Sequence, residues 1–186
     1  KETMNDHHTD LRSIDRRAMV ERDLWPDFSG TAMAELARIQ TAATDQHSNI
    51  RHLTDLLWAS IDNDDSRDLD QLTVAEARPD RSVNILVAIA DVDSLVTKDS
   101  ALDEHAKHNT TSVYTAGDLF PMLPEKLSTD LTSLGDGQDR LAIVVEIGIA
   151  EDGTVLRSSL FRALVRNHAK LAYNSVAAWL AGEAPA

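Results

Sequence analysis

Apolar residues in the first fifty positions recur at helical spacing. The first predicted helix places four of them on one face and ends near Pro26: Leu11, Ile14, Ala18 and Trp25. A second helix is predicted to begin after Ser29, with three apolar residues on its buried face: Met33, Leu36 and Ala37. A third is predicted from the spacing of four more apolar residues: Ile50, Leu53, Leu56 and Leu57.

From about Trp58 onward the apolar pattern is typical of strands. Residues 85–90 are apolar on both faces, as in a central buried strand. Every second residue from Leu141 to Ile149 is apolar, so we expect that set to face the core. Asp152-Gly153 is a strong turn signal, and residues 155–165 are predicted to return as the partner strand.

The order of these elements predicts an α+β fold. A helical leader would occupy residues 1–50, followed by a mixed, largely antiparallel sheet with packed helices over residues 51–186. The last predicted helix runs from Lys170 to Ala181, with Gly182 as its stop.

Composition excludes several classes of protein. The chain of 186 residues has no cysteine, which excludes disulfides, thiolate metal sites and cysteine nucleophiles and agrees with a cytoplasmic location. No apolar run approaches the roughly 20 residues that span a bilayer, so no membrane partner is expected. With 18 basic and 31 acidic residues, the net charge of −13 excludes a simple basic nucleic-acid clamp.

The most informative segment is acidic. Five aspartates lie within nine residues: Asp62, Asp64, Asp65, Asp68 and Asp70. Two carboxylates about 5 Å apart repel by roughly 3 kcal/mol at an effective dielectric constant near 20. Their convergence therefore needs a cation or good solvation, and hard oxygen ligands suit Mg²⁺ or Mn²⁺.

This segment has two other interpretations, a solvated loop and a calcium-binding loop. A solvated acidic loop is as compatible with the composition as a metal site. A calcium loop could begin with Asp62, Asp64 and Ser66, but Arg67 stands where such a loop needs glycine and Thr73 where it needs glutamate. The calcium interpretation is therefore rejected.

The surroundings of the segment favour a site. Apolar residues precede and follow it at 56–61 and 72–74, so its carboxylates would be held by adjoining strands. Asp68 and Asp70 are two residues apart and project to the same side of an extended backbone.

Several motifs together resemble the catalytic domain of the ribonuclease II / ribonuclease R family. The family pattern of an Asp, five residues, an Asp, one residue and two adjacent Asp is approached at residues 62–71. Further matches continue in register: Arg51 to Leu56, Val87 to Val92, Thr111 to Tyr114, Pro121 to Ser128, Ser133-Leu134, Asp139-Arg140 and His168 to Tyr173. The resemblance covers residues 51–181, and its motifs are specific as a set.

The resemblance implies metal-dependent, processive hydrolysis of single-stranded RNA from the 3′ end, releasing 5′-mononucleotides. It implies that Asp62 holds metal and orients the scissile phosphate, and that Asp68 supports the metal shell. Asp70 would be the residue whose loss stops cleavage while RNA stays bound. The implied metal ligands are therefore Asp62, Asp68, Asp70 and Gln71.

Gln71 departs from the family pattern, which has a second adjacent aspartate there. An amide oxygen can coordinate a hard cation but brings no charge and binds Mg²⁺ more weakly. Either Asp64 or Asp65 compensates, or one metal is held loosely, or turnover is lost. The alternative function is accordingly a catalytically impaired module that binds RNA or protein.

Tyr114 matches the family's tyrosine that stacks on a base near the 3′ end, and the alternative is a core tyrosine. Arg140 is a candidate phosphate contact, with an ion pair to Asp139 equally compatible. Of the histidines, His105 and His108 have the spacing of a ligand pair, although an exposed helix face is favoured. His7-His8 is a weaker metal candidate near the chain start.

The family's catalytic domain normally extends well beyond 186 residues and includes a basic stretch that clamps phosphates. We therefore expect that residues 51–186 form the N-terminal part of such a domain. The expected partners are single-stranded RNA and either the missing C-terminal half of the domain or another copy of the chain.

Overall fold

The computed structural model describes residues 3–44 and 49–183, with side chains from residue 11 onward. The helices are α1 (Thr3–Glu21), α2 (Gly30–Arg38), α3 (Ala101–Asn109) and α4 (Tyr173–Leu180). The strands are β1 (Arg51–His52), β2 (Trp58–Asp62), β3 (Gln71–Ala77), β4 (Val83–Ala90), β5 (Val113–Tyr114), β6 (Leu119–Phe120), β7 (Asp139–Ile149) and β8 (Val155–Ala172). Short 3₁₀ and π turns lie at Val92–Ser94 and Leu127–Leu131.

The chain forms two compact units, each built from two stretches of sequence. The first unit combines Lys1–Gln40 with Val96–Glu125, and the second combines Thr41–Leu95 with Lys126–Ala186. Within the described residues, no helix has the length and apolar character needed to cross a membrane. The helices and mixed, largely antiparallel sheet confirm the α+β prediction.

In the first unit, α2 begins where the sequence predicts. The Ser29 side chain accepts a hydrogen bond from the Ala32 amide at 3.1 Å, which caps the helix. The predicted buried face is partly wrong. Ala32 and Leu36, four residues apart, are the buried pair, whereas Met33 and Ala37 are exposed.

Helix α3 of the same unit has its N-terminus satisfied by a distant carboxylate. Glu35 accepts hydrogen bonds from the amides of Ala101 at 3.1 Å and Leu102 at 3.0 Å. A carboxylate is stabilised at the positive end of a helix, and the Ser100 hydroxyl accepts a further bond from the third amide of the turn. These bonds anchor α3 to α2, with Leu102 fully buried.

The sheet of the second unit closes on itself. Its strand order is β1-β8-β2-β3-β4-β7, and β7 also pairs with β8. Strands β2, β3, β4, β7 and β8 therefore form a closed ring of pairings, with β1 added in parallel beside β8. Each of these five strands therefore pairs with two others, although residues 155–162 of β8 pair with β7 alone.

The interior of this ring is lined by small and medium apolar residues around Trp58. The core cluster is Trp58, Leu69, Leu72, Leu86, Ala88, Leu134, Ala142, Val144, Ala163 and Val165. The prediction for β7 is therefore only partly right, since Leu141 is the one member of the predicted set that is buried. Ala142 and Val144 face the core, whereas Ile143, Val145 and Ile147 on the opposite face are only half-buried. The narrow interior of a small barrel has room for the smaller residues of β7, even though the larger residues on its other face are more hydrophobic.

Strand β8 changes partner along its length. Its first part pairs with β7 as far as Arg166, and from Asn167 onward it pairs in parallel with β2. The strand continues to Ala172, so the predicted helix from Lys170 begins too early and α4 starts at Tyr173. The reason is tertiary, because residues 169–172 are paired with Ala59 to Asp62.

The third predicted helix is wrong. Residues 50–57 form β1 and a turn, in which the Leu53 amide donates to the Leu164 carbonyl at 2.9 Å. The Leu53 carbonyl accepts a hydrogen bond from the Trp58 indole at 2.8 Å, and Leu53 and Leu56 pack against the core. Leu57 is exposed. Leu53 and Leu56 therefore reach the core from the segment between β1 and β2 and not from a helix.

The two histidines of α3 do not form an exposed helix face. His105 is 2% exposed and packs against Phe28, with ring centroids 4.1 Å apart. His108 stacks on Trp25 at 4.0 Å, and Asn109 donates to the His105 Nε2 atom at 3.1 Å. Burial, and secondarily the charge of His108, lowers the pKa of His105 below its usual 6.5.

The low pKa of His105 predicts acid sensitivity. The His105 imidazole is protonated more readily in the unfolded chain than in the folded one. The free energy of unfolding is therefore undiminished above about pH 6.5 and decreases as the pH falls toward the folded-state pKa of His105. Urea unfolding at about pH 7.5 and about pH 5.5 measures the loss. In His105→Phe, which keeps a ring against Phe28, we expect a smaller loss. The exposed-residue variant His168→Gln serves as control, and equal losses in all three proteins would contradict the prediction.

Candidate functional site

The acidic segment connects two neighbouring strands of the closed sheet. Asp62 is the last residue of β2, and Gln71 is the first of β3. The two strands are antiparallel, with Ala59 paired with Thr73. The segment is therefore a connection whose two ends are fixed by the sheet, as the sequence predicts.

Backbone hydrogen bonds fix the segment further along its length. The Ser133 hydroxyl donates to the Arg67 carbonyl at 2.8 Å and accepts from the Leu69 amide at 3.1 Å. The Leu69 carbonyl accepts from Leu134 at 2.7 Å. On the other side, the Asp70 carbonyl accepts from the amide of Ala90, the last residue of β4, at 2.9 Å. The backbone that carries Asp68 and Asp70 is thus held by the core of the second unit.

The side chains alternate about this fixed backbone. Leu69 is 3% exposed and belongs to the core, whereas Asp68 and Asp70 on either side are exposed. This agrees with the prediction that the two carboxylates project to the same side. Within the described part of the chain, neither carboxylate makes a hydrogen bond or ion pair, so their oxygens are available to a ligand.

Asp62 is differently placed, because its carboxylate is partly used by its own turn. The Oδ1 atom accepts hydrogen bonds from the Ser66 hydroxyl and the Asn63 amide, both at 2.8 Å. The side chain is half-buried at the end of β2. These bonds orient the carboxylate and leave Oδ2 without a bond.

The donor set fits a hard divalent cation by its chemistry. Asp62, Asp68 and Asp70 offer carboxylate oxygens, and the exposed Gln71 offers an amide oxygen. Among the side chains that the structure describes, however, no three acidic or histidine groups are close enough to hold a metal ion. The backbone of the segment is fixed, but no three of its described carboxylates lie close enough together to hold a metal ion. The metal ligands therefore remain predictions. The side chains of His7 and His8 lie outside the described residues.

Tyr114 lies in the first unit and is 70% exposed. It ends β5 of a two-stranded hairpin, opposite Leu119. Exposure contradicts the core-tyrosine alternative, because the ring is not enclosed by protein. It leaves the ring open to a stacking partner.

Arg140 lies on β7 with its guanidinium turned to its own chain. It donates to the carbonyls of Asp139 at 3.0 Å and Asp130 at 3.3 Å, and to the Gln138 side chain. Burial lowers the pKa of Arg140, although the nearby carboxylates of Asp130 and Asp139 oppose that shift. The Asp139 carboxylate pairs with Arg166 instead, at 2.6 Å, so the alternative of an ion pair with Arg140 is not formed.

Sequence reasoning missed the residues that hold the acidic segment. Ser133 stands in a matched motif, but no spacing rule connects it to residues 64 positions away. The sequence predicts a helix at Lys170, yet this residue lies on β8 and its Nζ donates to the Asp64 carbonyl at 2.8 Å. Both contacts depend on strand pairings that the sequence does not reveal.

The role of Ser133 can be tested. Ser133→Ala leaves the buried Leu69 amide without its acceptor, which should cost about 1–3 kcal/mol of stability. We also expect faster hydrogen exchange at the Leu69 amide, since its opening would no longer break a bond. Urea unfolding and residue-resolved exchange measure the two effects.

The matched control is Ser159→Ala, which removes a hydroxyl that donates to the Glu146 carboxylate at 3.0 Å on the exposed part of β8. Its effect on stability should stay within about 0.5 kcal/mol. Unchanged exchange at Leu69 in the Ser133 variant would show that the hydroxyl does not hold the segment.

Comparisons with known proteins agree with this architecture. The RNB domain family matches residues 50–186. Ribonuclease R of Vibrio parahaemolyticus is 40% identical over 131 residues, covering 70% of this chain and 16% of that protein. Exoribonuclease 2 of an Enterobacter species is 36% identical over 145 residues, covering 77% of this chain and 22% of that protein.

A solved structure is similar over nearly the whole chain. Mycoplasma genitalium RNase R in complex with ribose-methylated single-stranded RNA has a TM-score of 0.84 and 28% identity. The match covers 95% of this chain and 28% of that one. The chain thus spans about a sixth to a fifth of the length of the two curated relatives. It belongs to the RNB domain family, in which its relatives are ribonuclease R and exoribonuclease 2.

Proposed function

We propose that this chain carries the metal-binding part of an Mg²⁺-dependent exoribonuclease. The proposed enzyme degrades single-stranded RNA processively from the 3′ end and releases 5′-mononucleotides, with Mn²⁺ as a possible substitute ion. The observation that carries the proposal is the acidic segment within the RNB match, whose backbone is held by Ser133 and Ala90 and whose carboxylates at 68 and 70 are free.

The proposed chemistry requires these carboxylates to share a bound metal ion. When bound, Mg²⁺ supplies charge neutralisation at the scissile phosphate and lowers the pKa of a coordinated water. Asp62, oriented by Ser66, would hold metal and align the phosphate. Asp68 and Asp70 would complete the carboxylate set from one side of the same fixed backbone.

Tyr114 would contribute RNA binding rather than chemistry. Its exposed ring can stack on a base near the 3′ end, and stacking tolerates every base, as a processive nuclease requires. Arg140 remains a weaker candidate for a phosphate contact, because three acceptors of its own chain already engage its guanidinium.

Gln71 favours a second candidate function, a catalytically impaired RNA-binding or protein-binding module. The residue is exposed at the start of β3, next to Asp70, and contributes no charge to a metal site. Fewer carboxylates attract a divalent ion less strongly, so binding of RNA could persist without turnover.

Asp70→Asn separates the two candidates. Under the leading proposal, the full-length protein that contains this chain releases mononucleotides from a labelled single-stranded RNA in Mg²⁺ and does not in chelator. The variant should lose this release, by at least about a hundredfold, because one ligand charge is gone, while its RNA affinity changes little. Gel analysis of the products and fluorescence anisotropy measure the two properties.

Asp80→Asn is the control, since it removes an exposed carboxylate from the turn between β3 and β4. RNA binding without any metal-dependent release by the full-length protein would favour the impaired module. In that case Gln71→Asp, which restores the family pattern, should introduce release or lower the Mg²⁺ concentration it requires.

Tyr114→Ala should weaken binding of a single-stranded oligonucleotide by about 1–3 kcal/mol, the usual contribution of one stacked base. Tyr114→Phe keeps the ring and should bind like the wild type. Fluorescence anisotropy in chelator measures both affinities without hydrolysis. Equal affinity of the Ala variant and the wild type would refute the stacking role.

A further inference from the structure

The hairpin that carries Tyr114 is too short to hold its own geometry. Strands β5 and β6 contribute two residues each, with Val113 paired with Phe120 and Tyr114 with Leu119. A two-stranded hairpin in isolation is marginally stable at best. Because the Tyr114 ring is 70% exposed, packing does little to fix its direction. Something else must set the orientation of the turn.

That support comes from α1, about a hundred residues earlier in the chain. The Asp15 Oδ2 atom accepts a hydrogen bond from the Gly117 amide at 3.1 Å. The Thr115 hydroxyl lies 2.8 Å from the same atom and shares its single proton between Asp15 and the Asp118 carbonyl, which is 2.6 Å away. Arg12 adds a bond from its Nε to the Gly117 carbonyl at 3.3 Å. One carboxylate therefore holds both the first residue after Tyr114 and the middle of the turn.

The turn is shaped to receive this carboxylate. Thr115 and Asp118 close the turn, since the Thr115 amide donates to the Asp118 carbonyl at 3.0 Å and the Thr115 hydroxyl accepts from the Asp118 amide at 2.9 Å. A Cβ added at Gly117 would lie 2.6 Å from the Asp15 Oδ2 atom and 3.2 Å from the Arg12 amide. Only glycine permits α1 to approach this closely.

We propose that Asp15 is a positioning residue for RNA binding, which sets the direction of the Tyr114 ring through the turn at residues 115–118. The inference rests on the proposed stacking role of Tyr114. Helix α1 precedes residues 50–186, which match the family, so an element outside that match would control how tightly a base is held.

A double-mutant cycle on the full chain tests this inference. The readout is the affinity for a fluorescein-labelled single-stranded oligoadenylate in chelator, measured by anisotropy. Asp15→Ala should weaken binding about three- to tenfold, since the turn loses its acceptor. Asp15→Asn should bind like the wild type, because its amide oxygen can accept the same two hydrogen bonds. In the Tyr114→Ala background, Asp15→Ala should have no further effect.

The matched control is Glu21→Ala, which removes another carboxylate of α1 that pairs with Arg17 rather than with the turn. Circular dichroism shows whether each variant is folded. If Asp15→Ala does not fold, Gly117→Ala decides the question. That variant keeps the carboxylate but displaces it, and it should weaken binding only when Tyr114 is present.

The outcomes separate the two proposals. If Tyr114→Ala weakens binding and Asp15→Ala does not, the positioning role is wrong and the stacking role stands. If Asp15→Ala weakens binding equally with and without Tyr114, Asp15 acts independently and the positioning role is again wrong. If Tyr114→Ala itself has no effect, the stacking role fails and the positioning role fails with it.

Discussion

The buried amide of Asn167 holds the point at which β8 leaves β7 and joins β2. Its Nδ2 atom donates to the Ser60 hydroxyl at 3.0 Å and to the Leu134 carbonyl at 3.1 Å, and its Oδ1 atom accepts from the Ala169 amide at 3.1 Å. A fully buried amide that lost these partners would carry the full cost of desolvation. The Asn167 side chain therefore stabilises the point at which β8 changes its partner strand and the ring closes.

The acidic segment depends on this closure. Pairing of β8 with β2 fixes the strand that ends at Asp62. Leu134 links Asn167 to the segment, because its carbonyl accepts from Asn167 and its amide donates to the Leu69 carbonyl. Ser133, the neighbouring residue, completes the anchor. The core of the ring and the presentation of Asp68 and Asp70 are thus parts of one hydrogen-bonded structure. The exposed aspartates are tolerated because the backbone that bears them is held by hydrogen bonds with uncharged groups, the Ser133 hydroxyl and backbone amides.

The sequence predicts where the helices and strands lie better than it predicts which of their faces are buried. Strand β4 is recognisable because it is apolar on both sides, and α2 because Ser29 caps it. The burial of β7 is not predictable from alternation, since the narrow interior selects Ala142 and Val144. The aspartates of the candidate site follow from composition and family resemblance. Their supports, Ser133 for the segment and Asp15 for the hairpin, come from contacts between distant positions that no local pattern encodes.

Gln71 changes the balance of charge at the site in two opposing ways. A carboxylate at this position would add repulsion of roughly 3 kcal/mol for each like charge about 5 Å away, at an effective dielectric constant near 20. The amide avoids that repulsion, but at the proposed metal site it would also remove part of the attraction for divalent ions. Because Asp68 and Asp70 are exposed and anchored only through their backbone, their repulsion can be relieved by solvent without unfolding the segment. Under the proposed function, the glutamine would therefore affect metal affinity more than fold stability, and a loss of turnover would leave the architecture intact.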